Sequence, residues 1–411
     1  MISSSDISWV MVATALVMFM TPGLGFFYGG LVRRKNILST IIQCIVIFAI
    51  VSIVWALWGY TLVFGPSIGG FIGSLANFGL NGVGAAPNPN YGPTIPELLQ
   101  FAFQLKFAAI TPALIIGAFV ERIRFKSLLI FIIAWSTLIY SPVAHWVWNV
   151  NGWLHLLGTL DFAGGIVIHA AAGLSALAAA LVIGRRQDVE NHEEMKPGNI
   201  PYVILGASIL WFGWFGFNAG SALAADTVAV YALVNTNLAA AAAAVSWMAV
   251  DWMGKGRPSV VGLAVGAVCG LAAVTPASGY VAPWAAILIG MTAGVVSNLV
   301  SNWRASRLKV DDTLDVFACH GVGGIIGSLA TGLFATVAVN ATGSNGLLYG
   351  NTNLFFAQFV GVVVVGAYSF IGTYVILKVI NIFSPLRVTP DEERKGLDLV
   401  EHGEEAYSQQ D

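Results

Sequence analysis

Two histidines set inside long apolar runs are the side chains of this chain most able to do chemistry. His169 lies eight residues after Asp161 in Asp161-Phe-Ala-Gly-Gly-Ile-Val-Ile-His169-Ala-Ala-Ala-Gly173, and the run continues without charge to Ile183. As a helix it carries His169 about 12 Å below its start, at about 1.5 Å per residue. His320 lies five to eight residues after an aspartate in Asp311-Asp-Thr-Leu-Asp315-Val-Phe-Ala-Cys-His320-Gly. Ionisable groups at such depth in a membrane are costly and face a polar cavity or another polar group. From residue types alone, three arrangements compete. The imidazoles could pair to join two helices, line a polar path, or serve as axial ligands of a haem in an electron-transfer subunit. The last needs a pair at equal depth across a cofactor-sized gap. The other histidines, His145, His155, His192 and His402, fall at span ends, in loops or in the tail, and no two have metal-ligand spacing.

The elements that must position these groups are membrane spans. Of 411 residues, 57% are hydrophobic and 10% charged, against about 25% charged in an ordinary soluble domain. A net charge of −2 without a basic stripe argues against nucleic acid as a partner. Cys44, Cys269 and Cys319 all lie in apolar runs and read as small packing residues. The first apolar run lacks a positive leader and is expected to stay as a helix. Eleven segments are long enough to cross or nearly cross a bilayer, at 9–31, 38–63, 97–120, 127–147, 162–183, 201–223, 227–250, 259–275, 281–300, 314–336 and 354–382. If all cross, every Lys and Arg but Lys106 falls on one side: Arg33 to Lys35, Arg122 to Lys126, Arg185 to Lys196, Lys255 and Arg257, Arg304 to Lys309, and Lys378 onwards. The positive-inside rule then places the N-terminus outside and the C-terminus in the cytoplasm. Residues 1–383 form the membrane domain, and 384–411 form a polar, acidic cytoplasmic tail expected to be regulatory.

Spans 5 and 10 descend from opposite surfaces, each with an aspartate near its start, a histidine further in and a face of Gly and Ala. Small faces let helices pack closely, which brings His169 and His320 together near the midplane. Spans 1 and 6 share a weaker echo, Gly25-Phe-Phe-Tyr-Gly-Gly30 against Gly216-Phe-Asn-Ala-Gly-Ser221. The predicted architecture is all-α: eleven transmembrane helices in a five-plus-five inverted repeat with a C-terminal helix added. In such folds substrate sites sit at the repeat interface.

Several motifs combine into a more specific pattern. They are Phe103-Gln-Leu-Lys-Phe107-Ala-Ala-Ile-Thr-Pro, Glu121-Arg-Ile-Arg124-Phe, Tyr140-Ser-Pro-Val-Ala-His-Trp-Val-Trp148, the Asp161–His169 run, Gly213-Trp-Phe-Gly-Phe217-Asn-Ala-Gly-Ser221, Thr275-Pro-Ala, the Asp311–His320 run and Gly396-Leu-Asp…Glu401-His-Gly-Glu. In this order, from Pro22 to Tyr407, the chain resembles the Amt branch of the ammonium transporter (Amt/Mep/Rh) superfamily.

That resemblance implies an ammonium transporter rather than an enzyme, with no cofactor and no metal. NH4+ would be recruited at an outer aromatic vestibule matching Phe103, Phe107, Trp148 and Ser221. Aromatic faces attract a small cation by about 2 kcal/mol or more when desolvated, and a hydroxyl can accept its hydrogen bond. Phe107 and Phe217 match paired phenyl rings that block the vestibule floor. His169 and His320 match twin histidines that keep a polar, proton-relaying track in an apolar pore. Asp161 matches a residue that caps its helix and adds negative potential, not a direct ligand. The resemblance also implies ammonium, and methylammonium as a further substrate, a homotrimer, a PII-type signalling partner at the cytoplasmic face, and a multi-pass place in the cell membrane. Its tail would contact a neighbouring subunit. Lys106 departs from the pattern, because a fixed cation in the vestibule would repel ammonium. Its side chain is expected to leave the pore face, pair with an acid or sit neutral. It is also the residue that favours the rival reading, an ammonium sensor with little transport.

Overall fold

The computed structural model describes residues 1–190, 196–308 and 310–407; His192, Lys309 and the last four residues of the tail lie outside the described residues. Eleven apolar helices follow one another: α1 (Ser4–Leu31), α2 (Arg34–Phe64), α3 (Glu97–Ala118), α4 (Phe125–Leu157), α5 (Gly165–Ile183), α6 (Ile200–Gly220), α7 (Thr227–Lys255), α8 (Val260–Val274), α9 (Pro283–Leu308), α10 (Phe317–Phe334) and α11 (Thr352–Phe383). All but α8 have the length to cross a bilayer. At 15 residues, α8 spans about 22 Å and stops where Pro276 withdraws a backbone donor.

The two halves repeat their packing. Helix α1 lies along α6, each is flanked by its successor, α3 lies against α1, and α8 lies against α6. Helix α11 packs along α5 as the added element. The fifth helix of each half opens with a π-turn that runs straight into α-helix, and the two cross where Gly173 meets Gly321. A Cβ on Gly173 would lie 2.1 Å from both Cα and N of Gly321. Gly173→Val therefore forces α5 and α10 apart. It is expected to lower the thermal midpoint in detergent, because overpacking of about 1–3 kcal/mol would fall on the contact that sets the spacing of the histidines.

The ends of α1, α3 and α5 and the start of α10 share one face of the molecule, as eleven crossings require. A buried ion cluster ties them together. The Glu121 carboxylate accepts from the Arg33 backbone N–H and Nε (both 2.9 Å), from Asn36 Nδ2 (3.0 Å) and from Arg186 Nη1 (2.6 Å). Arg186 also bonds Asp311 through Nε and Nη2, both at 2.8 Å.

The tail docks on this face. Pro390–Lys395 is a short helix opened by a Thr389/Glu392 capping box. Beyond it, Asp398 accepts from the N–H groups of Leu38 and Ser39 at 3.1 and 2.7 Å, and Leu397 N–H donates to Asn36 at 2.8 Å. Tyr407 receives an Asn199 hydrogen bond and lies under the Arg34 guanidinium, 4.6 Å from its ring centre.

Candidate functional site

On the opposite face a vestibule of about 570 Å³ opens between the halves. Phe107, Trp148, Asp161 and Ser221 line it, together with Gln104, Asp226 and Tyr280. No lysine or arginine lines it among the described residues, whereas two carboxylates do. Trp148 is fixed by an indole N–H bond of 3.0 Å to the Asp161 carbonyl, and its ring meets Phe107 edge-on at 6.2 Å. The Ser221 hydroxyl donates to the Phe217 carbonyl at 2.8 Å, so its lone pairs remain available to accept. Phe103 is fully buried; its ring packs on Phe107 at 4.8 Å, behind the vestibule wall.

The vestibule floor is an aromatic stack. Phe107 and Phe217 lie 4.3 Å apart between ring centres and tilted by 31°. Beneath them is a lumen of about 10 Å³, lined by Met20, Leu24, Ile110, Leu114, Leu210, Trp214 and Val268 along with both histidines. His169 stacks on Trp214 at 5.4 Å and 22°, and Trp214 is held by an indole bond to Thr275 at 2.9 Å. The His169 and His320 rings lie nearly parallel, with Nδ1 to Nδ1 at 3.2 Å. With both rings neutral, an Nδ1–H···Nδ1 hydrogen bond at this distance requires opposite tautomers. The His169 Nε2 is buried without a hydrogen-bond partner. A gap of 3.2 Å leaves no room for a porphyrin iron between these nitrogens, which removes the haem arrangement.

Local sequence explains why both imidazoles stand in the lumen. Each occupies a π-turn, Gly165–Ala170 and Phe317–Val322. Such turns free backbone groups and re-aim side chains, often at functional sites. Each turn is opened by a carboxylate. Asp161 accepts from the N–H groups of Gly164, Gly165, Ile166 and Val167 at 2.5–3.1 Å. Asp312 accepts from Val316 at 3.1 Å and Phe317 at 2.8 Å. Both carboxylates stand eight residues before their histidine, so of the three aspartates ahead of His320 the counterpart of Asp161 is Asp312. Asp315 instead binds Arg304 at 2.6 Å. An ionised carboxylate offers about four acceptor positions, and Asp161 spends them on its own helix.

Sequence reasoning passed over Gln104, whose amide oxygen is buried and unpartnered at the vestibule wall. Its place beside Phe103 and one turn from Ala108, on a face with Phe107, was a readable signal. Asp226, which caps α7 by accepting from Ala229 at 2.9 Å, also lines the entrance. Lys106 does not line the vestibule; its ammonium sits 4.9 Å from the centre of the Phe48 ring on α2.

This architecture has close relatives. The ammonium transporter of Bacillus subtilis (strain 168) is 48% identical over 406 residues, covering 98% of each chain. Among solved structures, Saccharomyces cerevisiae Mep2 superposes with a TM-score of 0.89 at 37% identity, over 95% of this chain and 91% of that one. A solved chain described as Sensor Amt Protein gives a TM-score of 0.89 at 32% identity, covering 97% and 98%. The family model for the Ammonium Transporter Family matches residues 8–407, and by this and the whole-length identities the chain belongs to that family.

Proposed function

We propose that the chain is a homotrimeric ammonium transporter, with one pore per subunit, which takes NH4+ at the vestibule and conducts NH3 past His169 and His320. The observation that carries this reading is the sealed apolar lumen, closed above by two stacked phenyl rings and floored by a shared-proton imidazole pair. The vestibule suits a small cation. It offers aromatic edges and faces, the Ser221 lone pairs and the Gln104 carbonyl, and it is electronegative by virtue of Asp161 and Asp226. A hydrated ion has no route through rings 4.3 Å apart, whereas neutral NH3 needs only ring motion.

The proton left behind has a separate path. Because each imidazole carries one proton and the Nδ1 atoms share a hydrogen bond, a proton taken up at one Nε2 drives the shared proton across. The second ring then releases its own Nε2 proton on the far side. One such pass moves one charge without NH4+ entering the lumen and leaves the two tautomers exchanged, so both rings must revert before the next proton follows. Asp161 supports this by setting the turn that aims His169 and by adding negative potential. The vestibule side is outside and the tail side cytoplasmic, where a PII-type partner would meet the docked tail.

The test is the transient current of proteoliposomes on a supported membrane after an ammonium jump. A saturable positive current is expected, with none after a potassium jump of equal size. Ser221→Ala should raise the half-saturating concentration about tenfold, the loss of one hydrogen bond to a charged group. A silent wild-type protein that still binds ammonium would favour the sensor reading instead.

A further inference from the structure

The Thr275-Pro276 end of α8 holds two neighbours of the lumen in fixed relation. The Thr275 hydroxyl donates to the Leu271 carbonyl at 2.7 Å and accepts the Trp214 indole N–H at 2.9 Å. Pro276 packs on the first residue of the turn that aims His169, since a Cβ on Gly165 would lie 2.3 Å from its Cγ. Its carbonyl accepts from the Phe162 N–H at 3.2 Å. One short segment thus sets both the indole and the imidazole. Because the indole N–H is spent on Thr275, the ring face is what Trp214 offers His169. The two planes are 22° apart, with centres at 5.4 Å.

The two imidazoles are therefore not equivalent. His169 is the ring on the gate side, 6.1 Å from the centre of Phe217, whereas His320 has ring contact with His169 alone among the described residues. A cation within about 6 Å of an aromatic ring centre is attracted to it, most strongly by an indole, and by about 2 kcal/mol or more away from water. Trp214 meets that distance for His169, and it is buried. An imidazolium in this lumen finds no carboxylate along the lining, and Asp161 spends its oxygens on its own turn. A charge in such surroundings is costly unless something compensates it.

We infer that Trp214 is a positioning residue for the proton, whose indole face stabilises the positive charge on His169 when that ring takes up a proton. NH4+ gives its proton to the His169 Nε2 and leaves as NH3. The charge then rests on the gate-side ring until the Nδ1 proton crosses to His320. This deepens the relay proposed above and rests on it. Trp214 acts only through the ring beside it, and Thr275 acts by holding the indole face in place. An indole that merely filled the lumen would do neither, so the test must change the charge of the ring face and not its shape.

The full-length chain is made by cell-free synthesis into liposomes, with mono-, di- or trifluorinated tryptophan placed at position 214 alone through a suppressor tRNA. Each fluorine withdraws negative charge from the ring face while the N–H stays and the shape barely changes. Ammonium-evoked currents are read on a supported membrane at equal amounts of inserted protein. The maximal current is expected to fall step by step with fluorine number, about tenfold across the series. The half-saturating concentration should hold, because the vestibule lies above the phenyl gate. A flat series beside a wild-type current overturns the role of Trp214 and leaves the relay standing. So does a series in which half-saturation shifts while the maximum holds. Absence of current from the wild type overturns the relay itself, and this role with it.

Discussion

Asp161→Ala should leave little folded protein. The side chain collects four buried backbone N–H groups at the start of α5, and alanine would orphan all of them. A hydrogen bond to a charged group contributes about 1.5–3 kcal/mol, and an unmet buried donor costs a comparable amount. Even with strong non-additivity the loss is about 4 kcal/mol or more, a large share of the roughly 5–15 kcal/mol that folded proteins have. Gel filtration of the detergent-solubilised variant should show aggregate in place of a symmetric peak. Asp161→Asn keeps one acceptor oxygen and should yield folded protein with a lowered melting temperature. Wild-type yield and melting temperature for Asp161→Ala would show that the cap does not hold the turn.

The second large effect is expected at Glu121, on the opposite face. Its carboxylate is fully buried between Arg33 and Arg186, and its backbone holds φ at +75°, a conformation uncommon outside glycine. Glu121→Gln removes the charge that two buried guanidiniums share. Breaking one side of such a pair costs about 3–5 kcal/mol, with a matching fall in melting temperature. The same group makes stability depend on pH. Burial alone would raise its pKa, but Arg186 and Arg33 together outweigh burial and hold it at about 2. A carboxyl lowered on folding stabilises above its unfolded value near 4.5, and that stability is lost as pH falls towards 2. The contribution is about 3 kcal/mol. Melting curves between pH 6 and pH 3 should fall steeply for the wild type and stay nearly flat for Glu121→Gln. Parallel curves would exclude Glu121 as the titrating group.

Much of this molecule could be read from its residues, and the reasons are physical. Apolar runs and the placement of Lys and Arg gave the eleven helices, because hydrocarbon admits few other backbones. The small faces around Gly173 and Gly321 gave the crossing that brings His169 to His320. What escaped was local. A π-turn changes hydrogen-bond register without changing composition, so the common spacing of eight from Asp161 and Asp312 to their histidines was visible, yet Asp312 was not separated from Asp311 and Asp315. Burial of Phe103 behind Phe107 also escaped, since residues four apart share a helix face but need not both reach a cavity edge. The tail was more legible: its mixture of Gly, apolar and acidic residues suits docking on the loops between helices, and Asp398 and Leu397 bind residues 36–39.

In the proposed relay, charge reaches the far side through the imidazole pair and not as NH4+ through the lumen. The measurement that tests it most directly is the ammonium-evoked current of His169→Leu/His320→Leu in proteoliposomes, beside wild type at equal amounts of folded protein. Leucine keeps the lumen apolar while removing both relay groups. The predicted result is a saturable current in wild type and none in the double variant. An undiminished current without either imidazole would contradict the relay.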